Sequence, residues 1–164
     1  MSTSRNIIIN SNGQAGSPGS NGLNGCGEAG DPGQPGGHAQ NIDIKLSVEG
    51  DHVKVFSNVD KPTYLTLGQP HTIKILTNGG AGGRGGDGGS GSAGRNGTDG
   101  MNASQYSAGT SGTSGGDGGP GGDGGDGGDG GRGGNVVIRI DEDDMDLLSL
   151  LDDVQQAGGA GGPG

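Results

Sequence analysis

The sequence predicts a mainly irregular, all-β chain: a bundle of left-handed polyglycine-II helices joined to a small antiparallel β-sheet and one short C-terminal helix. Three observations carry this expectation. Glycine recurs at every third position from Gly79 to Gly133, interrupted only by Ala103 and Tyr106. Apolar and polar residues alternate through Ile42, Ile44, Leu46 and Val48, and again through Val53 and Val55. An acidic run, Asp141, Glu142, Asp143 and Asp144, opens a segment in which Leu147, Leu148, Leu151 and Val154 recur at helical spacing. A period of three without bulky residues fits a left-handed polyproline-II-type helix, which has three residues per turn and no internal hydrogen bonds. Its amides must therefore pair with neighbouring segments.

Composition narrows the choice to two states. Of 164 residues 45 are glycine, while 25% are hydrophobic and 2% aromatic, too little apolar side chain for an ordinary core of that length. The chain is then either disordered or held by a backbone lattice. The glycine phase survives the Ser/Thr-rich stretch between Asn96 and Gly112, and a flexible linker has no reason to keep phase. The lattice is the better expectation.

Residues 6–9 read as a short strand leading into a first tract, residues 13–36, whose triplets are Gly-X-X and whose frame slips from Gly25 to Gly27. One bare ridge per turn suits a helix at the periphery of a bundle. Residues 42–76 hold most of the apolar side chains: a hairpin turning at Glu49-Gly50-Asp51, a third strand at Thr63–Leu67 after Pro62, and a fourth at Thr72–Leu76. The second tract, residues 78–134, would exceed about 150 Å as one straight helix. It must fold back, with the reversal expected at residues 96–112 and Tyr106 marking a corner or lid. Residues 135–140 read as a strand, the acidic-leucine segment as a short helix, and Gly158 as its stop. A single domain over residues 1–157 follows, with a glycine tail, residues 158–164. That tail completes the bundle, joins another molecule's bundle, or is the cut end of a longer parent.

Doubled glycines sharpen the expectation. In Gly-Gly-X triplets the X residues form one exposed ridge, here including Asp87, Asp117, Asp123, Asp126, Asp129 and Arg132. The glycines face inward, with Gly79, Gly82, Gly85, Gly88, Gly118, Gly121, Gly124, Gly127, Gly130 and Gly133 as the bundle positions. Each buried amide left unpaired costs about 1–3 kcal/mol, so such a layer stands only where several segments pair mutually.

The run from Gly121 to Ile138, GGDGGDGGDGGRGGNVVI, resembles the glycine-rich signature of the Obg fold, in which such a run feeds a strand and then an acidic, leucine-containing segment similar to Asp141–Leu151. The resemblance covers about the last third of the chain, and Gly79–Asp87 more loosely. It implies a bundle of left-handed type-II helices with a small β-barrel. No Gly-x-x-x-x-Gly-Lys-Ser/Thr phosphate loop is present, so the GTPase half of that family is absent.

Rival readings are weaker. A collagen triple helix needs abundant proline, and only 7 occur here. Successive aspartates of the ridge would lie about 9 Å apart, too far to share one calcium ion at about 2.3–2.6 Å. His38, His52 and His71 have no metal spacing, Cys26 has no intrachain partner, and no triad or paired-carboxylate pattern is visible. The expectation is therefore a chain that is no enzyme, without catalytic, cofactor-binding or metal residues. A net charge of -10 argues against nucleic acid and anionic membranes. Ile7–Ile9 is too short for a signal-peptide core or a membrane span, giving a cytoplasmic default; a non-classical export route would leave no mark. The function expected is a structural and interaction module that forms a homo-oligomer or filament through its glycine tracts. A module binding a ribosomal or RNA partner, as the resemblance implies, and an ice-binding surface are the alternatives.

Overall fold

A computed structural model describes residues 5–164. Residues 1–4, which include the start of the predicted domain and most of the polar N-terminus, lie outside the described residues. Seven strands are present, with glycine tracts following the first, fifth and seventh: β1 (Arg5–Asn10), β2 (Ile42–Glu49), β3 (His52–Ser57), β4 (Thr63–Thr66), β5 (His71–Leu76), β6 (Val136–Ile140) and β7 (Leu151–Gln155), with a 3-10 helix, Glu142–Leu150, between the last two.

The strands form two sheets rather than the predicted small antiparallel sheet or barrel. One is wholly parallel, in the order β1-β5-β7. The other runs β4-β3-β2-β6, with antiparallel pairing except where β2 and β6 lie parallel. The fold class is thus corrected to a small sheet-based α/β type, two sheets with one short helix. The predicted left-handed polyglycine-II helices are not among its elements: outside the strands the tracts form no regular helix, and their backbone groups pair from segment to segment instead.

Alternation explains the core. Ile42, Ile44 and Leu46 of β2, Val53 and Val55 of β3 and Leu65 of β4 point to one face and are buried, as period two requires. They meet Ile9, Ile73 and Ile75 of the parallel sheet, and Leu147 closes one end. The buried apolar side chains lie together between these two sheets. Here the core is conventional.

The C-terminal segment departs from expectation. Its first half is 3-10, not α, with Asp144 non-helical at φ -110, ψ 16. Leu151 and Val154, read as part of a helix, belong instead to β7, opposite Ile73 and Ile75. Pairing to the open edge of β5 satisfies a whole row of backbone groups, and this outweighs helical spacing in a short segment.

Thr77 follows β5 and is fully buried. Its Oγ1 donates to Gln40 O at 2.7 Å, tying the two layers where strand gives way to glycine. Thr77→Val keeps the shape and removes that donor. It is expected to cost about 1–3 kcal/mol, read as a lowered melting temperature.

Candidate functional site

The glycine tracts form five extended segments, residues 11–25, 27–41, 78–101, 109–134 and 156–164, numbered 1 to 5 below. Backbone bonds recurring every third residue define their neighbours. Segment 1 donates to segment 3 (Gly13, Gly16 and Gly19 N–H to Asn78, Ala81 and Arg84 O), and segment 3 donates to segment 5 (Gly79, Gly82 and Gly85 N–H to Ala157, Ala160 and Pro163 O). Segment 2 donates likewise to segment 4, from Gly30, Gly33 and Gly36 to Asp123, Asp126 and Asp129. Segments 1, 3 and 5 therefore make one parallel row, and segments 2 and 4 a second row. Between rows the bonds are antiparallel: Gly83 N–H to Gln34 O, Gly128 N–H to Gly83 O and Gly162 N–H to Gly128 O, each at 2.8 Å.

The rows continue the sheets. β1, β5 and β7 lead directly into segments 1, 3 and 5, while segments 2 and 4 lead into β2 and β6. Register passes through unchanged. Asn10 lies opposite Leu76 in the parallel sheet, and just beyond it Asn78 N–H reaches Asn12 Oδ1 at 2.7 Å. Asn78 Oδ1 in turn accepts from Ala157 N–H at 2.9 Å. In the other row Asn135 N–H reaches Asn41 Oδ1 at 2.8 Å, beside the Ile42–Val136 pair. Asn21 and Asn24 repeat the contact on Asp87 and Ser90 N–H, and His38 Nδ1 accepts from Arg132 N–H. Sequence reasoning passed over these asparagines; their signal is an Asn at four of the five junctions, residues 12, 41, 78 and 135.

Glycine is required wherever a Cβ would meet a neighbour's backbone. At Gly79, Gly82, Gly85 and Gly88 it would overlap carbonyl oxygens of segment 4, and at Gly127, Gly130 and Gly133 those of segment 5. Gly118 is tight, with Ser92 O at 2.9 Å. Gly121 and Gly124 are less confined: a Cβ at Gly121 would press on Gly89 O at 3.3 Å, while at Gly124 the nearest atom, Gly86 O, is at 3.7 Å, an ordinary contact that leaves space for a methyl group. Second glycines of the doublets are equally constrained at Gly80, Gly83 and Gly86, which face segment 1, and at Gly122, Gly125 and Gly128, which face segment 2. Asp87, Asp117, Asp123, Asp126, Asp129 and Arg132 are all exposed. Arg84 and Asp87 pair at 2.6 Å on that surface.

The first tract is two segments, not one peripheral helix. The frame slip marks the turn between them, where Gly25 and Gly27 take φ of +84 and +65. The second tract reverses at the Ser104–Ser107 bridge, with Tyr106 exposed at the tip. From about residue 91 to 119, segments 3 and 4 bond only to each other, forming a two-segment ribbon that leaves the lattice behind.

The outer face of the four-stranded sheet carries the other chemically distinct patch: Phe56, Tyr64, Lys45, Lys54 and Arg139. Phe56 and Tyr64 are half exposed. Arg139 pairs with Asp43, and Lys54 Nζ sits 2.8 Å from Glu49 Oε1 and 5.9 Å from the Tyr64 ring centre. The Glu49 carboxylate, as hydrogen-bond acceptor and charge, raises the Lys54 pKa above its ordinary value. Two of the three cations are neutralised in place.

Among the described residues no group of His, Cys, Asp and Glu could hold a metal ion, and no helix is long and apolar enough to cross a membrane. Cys26 is exposed. Comparison with protein-family models, curated proteins and solved structures found no match.

Proposed function

We propose that the protein is a non-catalytic structural and interaction module of the cytoplasm, a rigid scaffold that associates with copies of itself through its glycine lattice. The supporting observation is the lattice's own chemistry: it is built from backbone groups, and its outer segments carry groups with no partner among the described residues, Ala15 O and Pro18 O on one side and Gly127 and Gly130 N–H on the other. Unpaired backbone rows invite addition of another chain, as the edge strand of a sheet does. The paired cations on the outer sheet face, within a chain of net charge -10, give no comparable support to an RNA partner. Sedimentation velocity over a range of concentrations tests the reading. Concentration-dependent association is expected, and a monomer at every concentration overturns it.

A further inference from the structure

Five asparagines precede a glycine: Asn12, Asn21, Asn24, Asn78 and Asn96. An Asn-Gly pair readily loses its side-chain amide, because glycine brings no Cβ to hinder ring closure on its nitrogen. Four of the five pairs are held by one repeated arrangement. Asn12 Oδ1 accepts from Asn78 N–H, while the next amide, Gly13 N–H, donates to Asn78 O. Asn21 and Gly22 bracket Asp87 in the same way, Asn24 and Gly25 bracket Ser90, and Asn78 and Gly79 bracket Ala157. In each case the two groups that would form the ring, the side-chain amide and the following backbone nitrogen, are tied to a single residue of the adjacent segment.

Asn96 breaks the pattern. It lies in the ribbon, and both Asn96 and Gly97 are exposed. Neither the Asn96 side chain nor the Gly97 N–H has a partner among the described residues. The cross-ribbon bonds stand on either side of the pair, with Arg95 O accepting from Gly116 N–H and Thr98 O from Thr113 N–H. The Asp-Gly pairs, such as Asp99-Gly100, share the spacing, but an ionised carboxylate is a poor electrophile. The amide of Asn96 is the reactive group.

We propose that Asn96 is a site of spontaneous deamidation in the folded protein, and that the lattice withholds the same reaction from the other four pairs. The deprotonated Gly97 nitrogen attacks Asn96 Cγ, the new C–N bond closes a succinimide ring, and the side-chain amide leaves as ammonia. Water then opens the ring at either carbonyl, giving aspartate or isoaspartate at residue 96. No oxidant, reductant or cofactor takes part. At the four guarded pairs, the rotation that closes the ring first breaks lattice bonds, so the reaction there waits on local opening. Isoaspartate routes the main chain through the side-chain carbons and adds one backbone atom between Arg95 and Thr98. The bonds from Thr113 N–H to Thr98 O and from Thr110 N–H to Met101 O then fall out of step with that from Gly116 N–H to Arg95 O. The ribbon parts beyond residue 96.

The test incubates the 164-residue chain at mildly alkaline pH, folded in buffer and unfolded in guanidinium chloride, and follows each asparagine by peptide mass spectrometry. In denaturant all five pairs are expected to convert. In buffer Asn96 should convert at close to its denatured rate, while Asn12, Asn21, Asn24 and Asn78 slow by at least about tenfold, the effect of having to open two lattice bonds. Aged protein should show faster amide exchange at Thr110 and Thr113, with Gly125 and Gly128 unchanged. Asn96→Gln, whose longer side chain closes the ring poorly, should age without that change. Conversion of all five pairs at their denatured rates in buffer overturns guarding by the lattice. An Asn96 that keeps its amide in buffer while converting in denaturant overturns the site. Ageing of Asn96→Gln with the same gain in exchange at Thr110 and Thr113 overturns the assigned effect on the ribbon.

Discussion

Gly122→Val is expected to prevent cooperative folding of the glycine region, with a loss above about 4 kcal/mol. A Cβ at residue 122 would overlap Glu28 O and stand 2.8 Å from Ala29 N, both fixed backbone of segment 2. No rotamer change relieves such a clash, and displacing segment 2 breaks the bonds from Gly30, Gly33 and Gly36 as well. Two controls sit beside it in sequence. Gly124→Ala has 3.7 Å of clearance and is expected to be neutral or stabilising by about 0.4–1 kcal/mol, through a less flexible unfolded chain. Asp123→Ser, on the exposed ridge, should stay within about 0.5 kcal/mol of wild type. Thermal melting of the three gives the answer; equal effects at 122 and 124 would mean that lateral backbone packing does not hold this region.

Ile75→Ala is expected to cost about 2–5 kcal/mol, because Ile75 is fully buried between the two sheets with no exposed path for relaxation. Its reach should extend beyond the sheets. β5 runs straight into segment 3, the segment bonded to all four others. Amide exchange at Gly83, Gly86, Gly125 and Gly128 should therefore accelerate together with exchange in β5, as one cooperative unit. Exchange that quickens in the strands while these glycines stay protected would show that lattice and sandwich fold separately. In wild type, Asn102, Ala103 and Gln105 at the ribbon tip should exchange fast, since their amides have no partner among the described residues.

The strands of residues 42–76 were legible because alternation writes burial directly into sequence. The two-sheet arrangement was not, because β1, β5 and β7 are brought together by the glycine segments that follow them, across separations that local pattern does not encode. Leu151 and Val154 were misread for a related reason: a spacing of three is shared by a helix and by a bulged strand, and the register shift between Ile73 and Lys74 supplies the extra residue. Among the glycines, period three announced lateral packing but not which neighbour each position faces. Gly121 and Gly124 look identical in sequence to Gly127 and Gly130. What distinguishes them is the neighbour: Gly162 O and Gly159 O stand directly against Gly127 and Gly130, and no atom stands as close to Gly121 or Gly124. The asparagines at the junctions were readable in principle, since Asn12, Asn41, Asn78 and Asn135 each stand within two residues of the change from alternation to glycine.

The ribbon of residues 91–119 bears on how such a protein can vary in size. Each of its halves touches only the other, and the bonds between them come once per triplet. Insertion of three residues in each half would restore every pairing one step further out, whereas one or two residues would throw all distal partners off. Length can thus change only in matched steps, and the tip that carries Tyr106 can be moved outward without altering a single contact in the sandwich.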